Sequence, residues 1–330
     1  LYATVLKDYA KAKEYYETAL EKEVWQAYGA LGNIYRDILK DYAKAKECYE
    51  KALEKEVWQA YVDLGNLYAT VLKDYTKAKE YYETALEKEE WAAYVNLGIL
   101  YKDTFKEYTK AKEYYEKALE KEEWRAYINL GILYEDNFKN YAKAKDYYEK
   151  ALEKEEWVAY LGLGNIYKDN FKDYAKAKEY YEKALEKEEW GAYLGLGNLY
   201  TDVFKAHTMA KEFYEKALKK EVWLAYLNLA NLHYFEENLP AKGLKISQEG
   251  ISKIQTLLEK EPKNKEYWAI LAGLHTVGEN KEAFYECLSK AVEYGYELDE
   301  NIEGYPQSVQ RYFHEEAFQA LLQKSKDPLI

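Results

Sequence analysis

The chain has 330 residues, of which 48% are hydrophobic, 33% charged and 17% aromatic, with 39 tyrosines against 16 glycines and 4 prolines. This composition excludes a disordered chain, a collagen-like chain and, because no run of about 18 apolar residues occurs, a membrane-spanning protein. The net charge of -12 argues against binding along a phosphate backbone, so we expect neither a nucleic-acid partner nor a membrane partner.

The first segment, residues 1–24, matches residues 67–90 at all but two positions. We interpret it as a truncated first repeat, and we expect the true start of the protein to lie upstream of Leu1. No targeting segment is visible, so the sequence leaves the compartment open.

Residues 25–222 contain six full repeats of 33 residues. Each repeat begins with a tryptophan, and a seventh follows at the same spacing: Trp25, Trp58, Trp91, Trp124, Trp157, Trp190 and Trp223. A fixed period of this size predicts a solenoid, in which each unit is too small to bury its own apolar face and stacks on its neighbours.

The repeat that starts at Trp157 shows the pattern of two helices. Apolar residues recur at spacings of three and four, first from Trp157 to Tyr167 and again from Tyr174 to Leu185. Asp173 stands where the second helix needs an N-cap, and Glu179 and Lys183 form an ion pair four residues apart. Glycine at position 8 of every full repeat predicts close helix packing, since it costs about 1 kcal/mol of helix propensity.

These motifs resemble the tetratricopeptide repeat. Its typical residues are matched by Tyr160, Leu163, Gly164, Tyr167, Ala177, Tyr181, Ala184 and Leu185. The turn inside the repeat is one residue longer than in the usual unit of about 34 residues. The turn between repeats is shorter and is similar to that of the related Sel-like repeats. The resemblance implies an all-α fold, a right-handed α-α superhelical solenoid of stacked helix-turn-helix repeats.

The C-terminal third departs from the repeat. We expect residues 223–300 to form divergent repeats of the same kind, with a longer second helix that ends near Pro262. All four prolines lie in this third. The last segment, residues 301–330, predicts an amphipathic capping helix after Pro306, which would cover the apolar end of the array.

No catalytic or metal-binding motif is present. None of the four histidines has a second His, Cys or carboxylate pair at metal-ligand spacing, and glycine is never clustered as in a phosphate loop. Cys48 and Cys287 form no short-spaced pair and are expected to be ordinary buried thiols. We therefore expect no enzymatic activity, no metal and no cofactor.

One arc of the first helix differs between repeats. On a helical wheel of about 100° per residue, positions 2, 5, 6, 9, 12 and 13 fill this arc, which we call the variable face. In tetratricopeptide proteins it lines the concave groove, where extended peptides or partner helices bind. The candidate ligand-binding residues on it are Asn66, Asn96, Asp103, Arg125, Asn129, Asp136, Asn165, Asp169, Asn198, Asp202 and Asn231.

The asparagines offer donors and acceptors to a peptide backbone, and mostly apolar position 5 residues lie alongside. Alternatively, asparagine is common background in the family, and position 5 contacts the neighbouring first helix. The leading hypothesis is a non-enzymatic scaffold that binds a protein or peptide of unknown identity. The second is self-association through repeat ends into head-to-tail filaments. A third, an engineered repeat protein, is disfavoured by the irregular C-terminal third.

Overall fold

A computed structural model describes residues 2–298, 302 and 305–326, and these residues fall into two compact units. The first unit ends at Gly162 and the second begins at Leu163. The described residues form helices and contain no strand. The predicted domain boundary at residue 300, and the end of the predicted cap from residue 327, lie outside the described residues.

The helices follow one another in pairs, one pair to a repeat. The first unit contains α1 (Tyr2–Glu21), α2 (Ala27–Asn33), α3 (Tyr42–Glu54), α4 (Gln59–Leu67), α5 (Tyr75–Glu87), α6 (Ala92–Asp103), α7 (Tyr108–Glu120), α8 (Ala126–Ile132), α9 (Tyr141–Glu153) and the start of α10 (Ala159–Asp169). The second contains the rest of α10, then α11 (Tyr174–Glu186), α12 (Ala192–Asp202), α13 (His207–Lys219), α14 (Ala225–Asn231), α15 (Pro240–Leu258), α16 (Lys265–Val277), α17 (Lys281–Glu293), α18 (Gln307–Gln310) and α19 (Glu316–Lys326).

Within each unit, helix packing follows the chain. From α2 to α9, and again from α11 to α17, each helix packs against the next one. The second helices bury the same three positions each time, as Ala111, Tyr115 and Ala118 do in α7, where all three are 0% exposed. The predicted all-α class and the stacking of helix-turn-helix repeats are therefore confirmed.

Two local predictions are confirmed by hydrogen bonds. Asp173 caps α11, because its carboxylate accepts a hydrogen bond from the backbone N–H of Lys176 at 3.2 Å. Lys183 donates to Glu179 at 2.6 Å. Such exposed pairs contribute only about 0.2 to 0.5 kcal/mol each.

The turns use left-handed backbone at residues other than glycine. Inside the fourth repeat, the first helix ends in a π-helical segment (Leu133–Asn137), and Lys139 follows with a φ of 50°. Between the third and fourth repeats, Glu122 has a φ of 62°. Both kinds of left-handed residue recur along the array, so its sharp turns form without the glycines that such φ values favour.

The position 8 glycines let the two helices of a repeat approach each other. A Cβ atom added at Gly98 would lie 2.3 Å from Cε1 of the buried Tyr115, which is closer than real carbon atoms pack. The same contact recurs between the position 8 glycine and the position 25 tyrosine of every full repeat. The predicted close packing is confirmed, and its partner is a tyrosine ring.

Each repeat begins with a layered aromatic contact. Trp91 stacks on Tyr94 with ring centroids 6.1 Å apart, and Lys121 Nζ lies 4.2 Å from the centroid of the Trp91 ring. Lys121 belongs to the end of the second helix, so this cation-π contact joins the two ends of one repeat. The same arrangement recurs at Trp25, Trp58, Trp124, Trp190 and Trp223.

The C-terminal segment differs from its prediction. The stretch expected to form one amphipathic helix after Pro306 forms α18 and α19, which turns at residues 311–315 separate. The neighbouring residues Tyr312 and Phe313, which lie in these turns, are both buried. None of the described helices combines the length and the hydropathy that a bilayer crossing needs.

Candidate functional site

The variable face lies on the first helices of the repeats, which are the even-numbered helices from α2 to α14. The predicted site residues divide by exposure. Asn66, Asn96, Asn129, Asn198 and Asn231 are half-buried, whereas Asp103, Arg125, Asp136, Asn165, Asp169 and Asp202 are exposed. The structure therefore places polar groups of this face at two depths.

The position 9 asparagines are bonded to the position 25 tyrosines of their own repeats. The hydroxyl of Tyr82 donates to Asn66 Oδ1 at 2.8 Å, and the hydroxyl of Tyr181 donates to Asn165 Oδ1 at the same distance. Asn33 and Asn198 accept equivalent bonds. The bond holds each amide oxygen against its tyrosine and leaves the amide nitrogen, a donor, as the group that a ligand can meet.

Two repeats have isoleucine instead of asparagine at position 9. In the third repeat this residue is Ile99, and the hydroxyl of Tyr115 is buried without a hydrogen-bond partner among the described residues. In the fourth repeat it is Ile132, and the hydroxyl of Tyr148 donates instead to Glu135 Oε2 at 2.8 Å. Position 9 therefore has a structural role in the full repeats where it is asparagine, and the hydroxyl at position 25 needs another partner or lacks one where it is isoleucine.

Position 6 lies over the tyrosine of the preceding repeat. A Cβ added at Gly195 would lie 2.5 Å from Cε1 of Tyr181, so this glycine makes room for the ring. In the seventh repeat, position 6 is Asn228, whose Nδ2 donates to Asn198 Oδ1 at 2.9 Å. Asn129 Nδ2 donates to the backbone oxygen of Arg125 at 3.0 Å, which leaves the Asn129 amide oxygen as its free acceptor.

The acidic position 13 residues are held by weak ion pairs. Lys102 Nζ lies 3.1 Å from Asp103 Oδ1, and Lys168 Nζ lies 3.3 Å from Asp169 Oδ1. Both aspartates are more than half exposed, and exposed pairs contribute about 0 to 1 kcal/mol. Neighbouring lysines therefore offset much of the negative charge of this row.

Position 5 takes part in packing at the two repeats where it is most buried. Val62 is 3% exposed and Leu227 is 4% exposed. A Cβ added at Gly273 of α16 would lie 2.5 Å from Leu227 Cδ2, so Leu227 contacts the next first helix, as the alternative interpretation predicted. Val95, Ile128, Leu161 and Leu194 are half-buried and remain available as apolar contacts.

A charged cluster in the first unit was not predicted. Arg36 donates two bonds to Asp37, from Nε at 2.7 Å and from Nη2 at 2.8 Å, while its Nη1 is buried without a partner among the described residues. Asp63 lies close enough for its charge to act on Arg36. Burial raises the pKa of Asp63 to about 6, against the opposing effect of Arg36. The scarcity of arginine, only three in the chain, was the signal that could have identified this cluster.

The histidines and cysteines occupy separate places. His233 is 1% exposed, its Nδ1 bonds to Glu237, and burial lowers its pKa. Cys287 is buried, as predicted, whereas Cys48 is only half-buried, so the prediction of a buried thiol is wrong there. Among the described residues, no three His, Cys, Asp or Glu side chains form a group that could hold a metal ion.

The comparison with known families agrees with the repeat geometry. The tetratricopeptide repeat model matches residues 26–54, 59–87, 92–120, 125–153 and 158–186. The chain therefore contains five tetratricopeptide repeats. The Sel1 repeat model matches residues 2–23 and 191–221, which confirms the resemblance to both repeat types. A search of the curated proteins found no match.

Solved structures of repeat proteins share the fold. Yeast Tom70 is 19% identical, with a TM-score of 0.58 over 96% of this chain and 62% of Tom70. A tetratricopeptide repeat protein from Parabacteroides merdae is 21% identical, with a TM-score of 0.50 over 82% of this chain and all of that one. A Sel1 repeat protein from Oxalobacter formigenes is 22% identical, with a TM-score of 0.50 over 66% of this chain and 98% of that one. At these identities the likeness shows the fold alone.

Proposed function

We propose that this protein is a non-enzymatic scaffold whose variable face binds a peptide or a partner helix. Repeats of the tetratricopeptide and Sel1 families are typical of protein-protein interaction scaffolds and are generally non-catalytic. These families do not specify a groove, a ligand or ligand-binding residues for this chain, so all three are part of our proposal.

The observation that carries this proposal is the fixed orientation of the position 9 amides. Tyr82 and Tyr181 hold the amide oxygens of Asn66 and Asn165, so each amide nitrogen is oriented as a donor. A peptide backbone offers one carbonyl oxygen per residue, and side-chain amides that are already oriented bind it at a lower entropic cost. Half-buried apolar residues at position 5 add contacts for the ligand's side chains.

The test must separate binding from stability, because removing an asparagine takes a hydrogen-bond acceptor away from a buried tyrosine hydroxyl. The binding variant therefore combines asparagine-to-alanine with tyrosine-to-phenylalanine changes: Asn66→Ala, Asn165→Ala and Asn198→Ala with Tyr82→Phe, Tyr181→Phe and Tyr214→Phe. The matched control carries only the three Tyr→Phe changes. Both are compared with the wild-type chain by affinity capture and mass spectrometry.

We expect the control, whose amides are present but no longer held by tyrosine hydroxyls, to capture the partners of the wild-type chain in reduced amount, and the binding variant to lose at least one of them. Circular dichroism and thermal melting show whether the variants fold alike. If a folded binding variant captures every partner of the wild-type chain in equal amount, the assignment of the groove is wrong.

A further inference from the structure

The seventh repeat breaks the pairing of asparagine with tyrosine. Position 25 is Ser247, whose hydroxyl donates to the backbone oxygen of Leu274 at 2.7 Å. The position 9 residue Asn231 therefore has no tyrosine to hold its oxygen. Its Nδ2 donates to the backbone oxygen of Leu227 at 2.8 Å, and its Oδ1 accepts from the backbone N–H of Ser308 at 3.2 Å.

Ser308 belongs to a C-terminal segment, Tyr305–Phe313, that lies on the variable face. Thr276 of α16 donates to the hydroxyl of Ser308 at 2.7 Å. Thr276 aligns with position 12 of the seventh repeat, Tyr234. The five residues before each of them share the pattern Leu-Ala-x-Leu-His. Both Thr276 and Ser308 are 0% exposed. The segment thus contacts positions 9 and 12, two of the positions assigned to ligand binding in the upstream repeats.

The same segment is anchored by an arginine. Arg311 Nη1 lies 2.7 Å from Glu279 Oε1. The guanidinium carbon of Arg311 lies 5.4 Å from the centroid of the Phe235 ring, at position 13 of the seventh repeat. A charge-assisted hydrogen bond and a cation-π contact therefore hold the Arg311 side chain. Position 13 is the third of the positions assigned to ligand binding that the segment contacts.

Apolar side chains complete the contact. Val309, Tyr312 and Phe313 are buried in the cluster that contains Leu227 and Leu271 of the first helices α14 and α16. Gln310 Nε2 donates to the backbone oxygen of Tyr305 at 2.7 Å and closes the segment on itself. Helix α19 packs on α17. The part of the predicted cap that packs on the last repeat is therefore α19, whereas the part that lies on the variable face is Tyr305–Phe313.

We infer that Tyr305–Phe313 is a built-in ligand of the variable face and that this site accepts peptides of the same chemistry in its place. Such a peptide has a hydroxyl residue in a short helical turn, followed by an arginine and two aromatic rings. The inference rests on the proposed function and specifies the ligand class for one part of the same face.

The probe is a fluorescently labelled synthetic peptide with the sequence of residues 305–313, YPQSVQRYF, added to the full chain. In the wild-type chain the tethered segment competes at an effective concentration on the order of millimolar, so the peptide binds weakly. Arg311→Ala weakens only the tethered segment, and we expect the peptide to bind this variant about tenfold more tightly in fluorescence anisotropy. Ser308→Ala provides a second release variant.

The receptor side is tested in the Arg311→Ala background. Adding Asn231→Ala removes the acceptor for the peptide N–H, and we expect about tenfold weaker binding of the peptide. Asn170→Ala is the control, because it removes an asparagine side chain that lies at position 14, outside the variable face and outside the proposed contact, and we expect less than about a twofold change.

The inference is overturned if folded Arg311→Ala and Ser308→Ala chains, with melting temperatures close to the wild type, do not bind the peptide more tightly. It is also overturned if Asn231→Ala and Asn170→Ala weaken peptide binding equally. The proposed function has a separate readout, since its binding variant changes Asn66, Asn165 and Asn198 and leaves Asn231 intact. The two ideas can therefore fail independently.

Discussion

The hydroxyl of Tyr181 donates a hydrogen bond to Asn165 Oδ1 at 2.8 Å, from the second helix of the fifth repeat to its first. Because Tyr181 is 0% exposed, this bond supplies a protein acceptor to a hydroxyl that is shielded from water. The asparagine is thus a structural residue and an oriented surface donor at once. Neither property excludes the other, since a side-chain amide has both an acceptor and two donor hydrogens.

The third repeat lacks this pair, and Ile99→Asn is predicted to restore it. Ile99 is 37% exposed, so part of its side chain already faces solvent, and the new amide oxygen can accept from Tyr115. We expect the free energy of unfolding to rise by about 1 kcal/mol in urea denaturation. The control is Tyr115→Phe, in which no hydroxyl needs a partner. If Ile99→Asn stabilises the Tyr115→Phe chain as much as the wild type, the hydrogen bond is not the cause.

Gly98→Ala is predicted to destabilise the protein even though alanine favours helices. The new Cβ would lie within 3.0 Å of three atoms of the Tyr115 ring, which is fully buried. Overpacking costs about 1 to 3 kcal/mol and exceeds the helix-propensity gain of about 1 kcal/mol. Gly29→Ala is the matched control, since its nearest neighbour would be 3.7 Å away. Equal effects of the two changes on the melting temperature would contradict this explanation.

Stability at acidic pH is predicted to depend on Asp63. Its folded pKa of about 6 lies above the unfolded value of about 3.9, so the folded chain binds the extra proton more tightly. This residue's contribution to stability is therefore greatest below pH 4 and falls as the pH rises through 6. Asp63→Asn should stabilise the protein by about 2 kcal/mol at pH 7.5 and have little effect at pH 3.5. Urea denaturation of both chains at the two pH values measures this difference, and a pH-independent difference would refute it.

The two thiols are predicted to react at different rates. Burial raises the pKa of Cys287 to about 11, and its side chain is 6% exposed, so little thiolate forms and reagent has little access. Burial also raises the pKa of Cys48. However, Cys48 is only half-buried, so a reagent reaches its thiol more easily than that of Cys287. Iodoacetamide at pH 8 should modify Cys48 first and Cys287 only in denaturant. Peptide mapping of the native protein would contradict this if Cys287 were alkylated at the same rate.

Local sequence patterns predicted the features that depend on nearby residues. The cap at Asp173 needs only a backbone N–H three residues away, and the role of Gly98 follows from its recurrence in every repeat. The bond from Tyr181 to Asn165 joins residues 16 apart, and the wheel projection of one helix contains no information about it. For the same reason the sequence did not reveal that the tyrosine fixes the direction of the amide.

The features that were missed depend on tertiary contacts or on unusual backbone. Asn231 and Ser308 are 77 residues apart, and only the folded chain brings them together. The turn residue Glu122 has a left-handed φ although its type gives no such signal. The break between α18 and α19 lies at turns in residues 311–315, whereas the amphipathic pattern of the sequence runs across these residues as in one helix.

The stacked tryptophan that opens each repeat has a consequence for the study of unfolding. Trp91 contacts both Tyr94 and the ammonium group of Lys121, so its indole loses both neighbours when its own repeat opens. The emission of an indole changes with its surroundings, and the same environment recurs once per repeat. A set of chains that each retain a single tryptophan would therefore report, by fluorescence, the order in which individual repeats open.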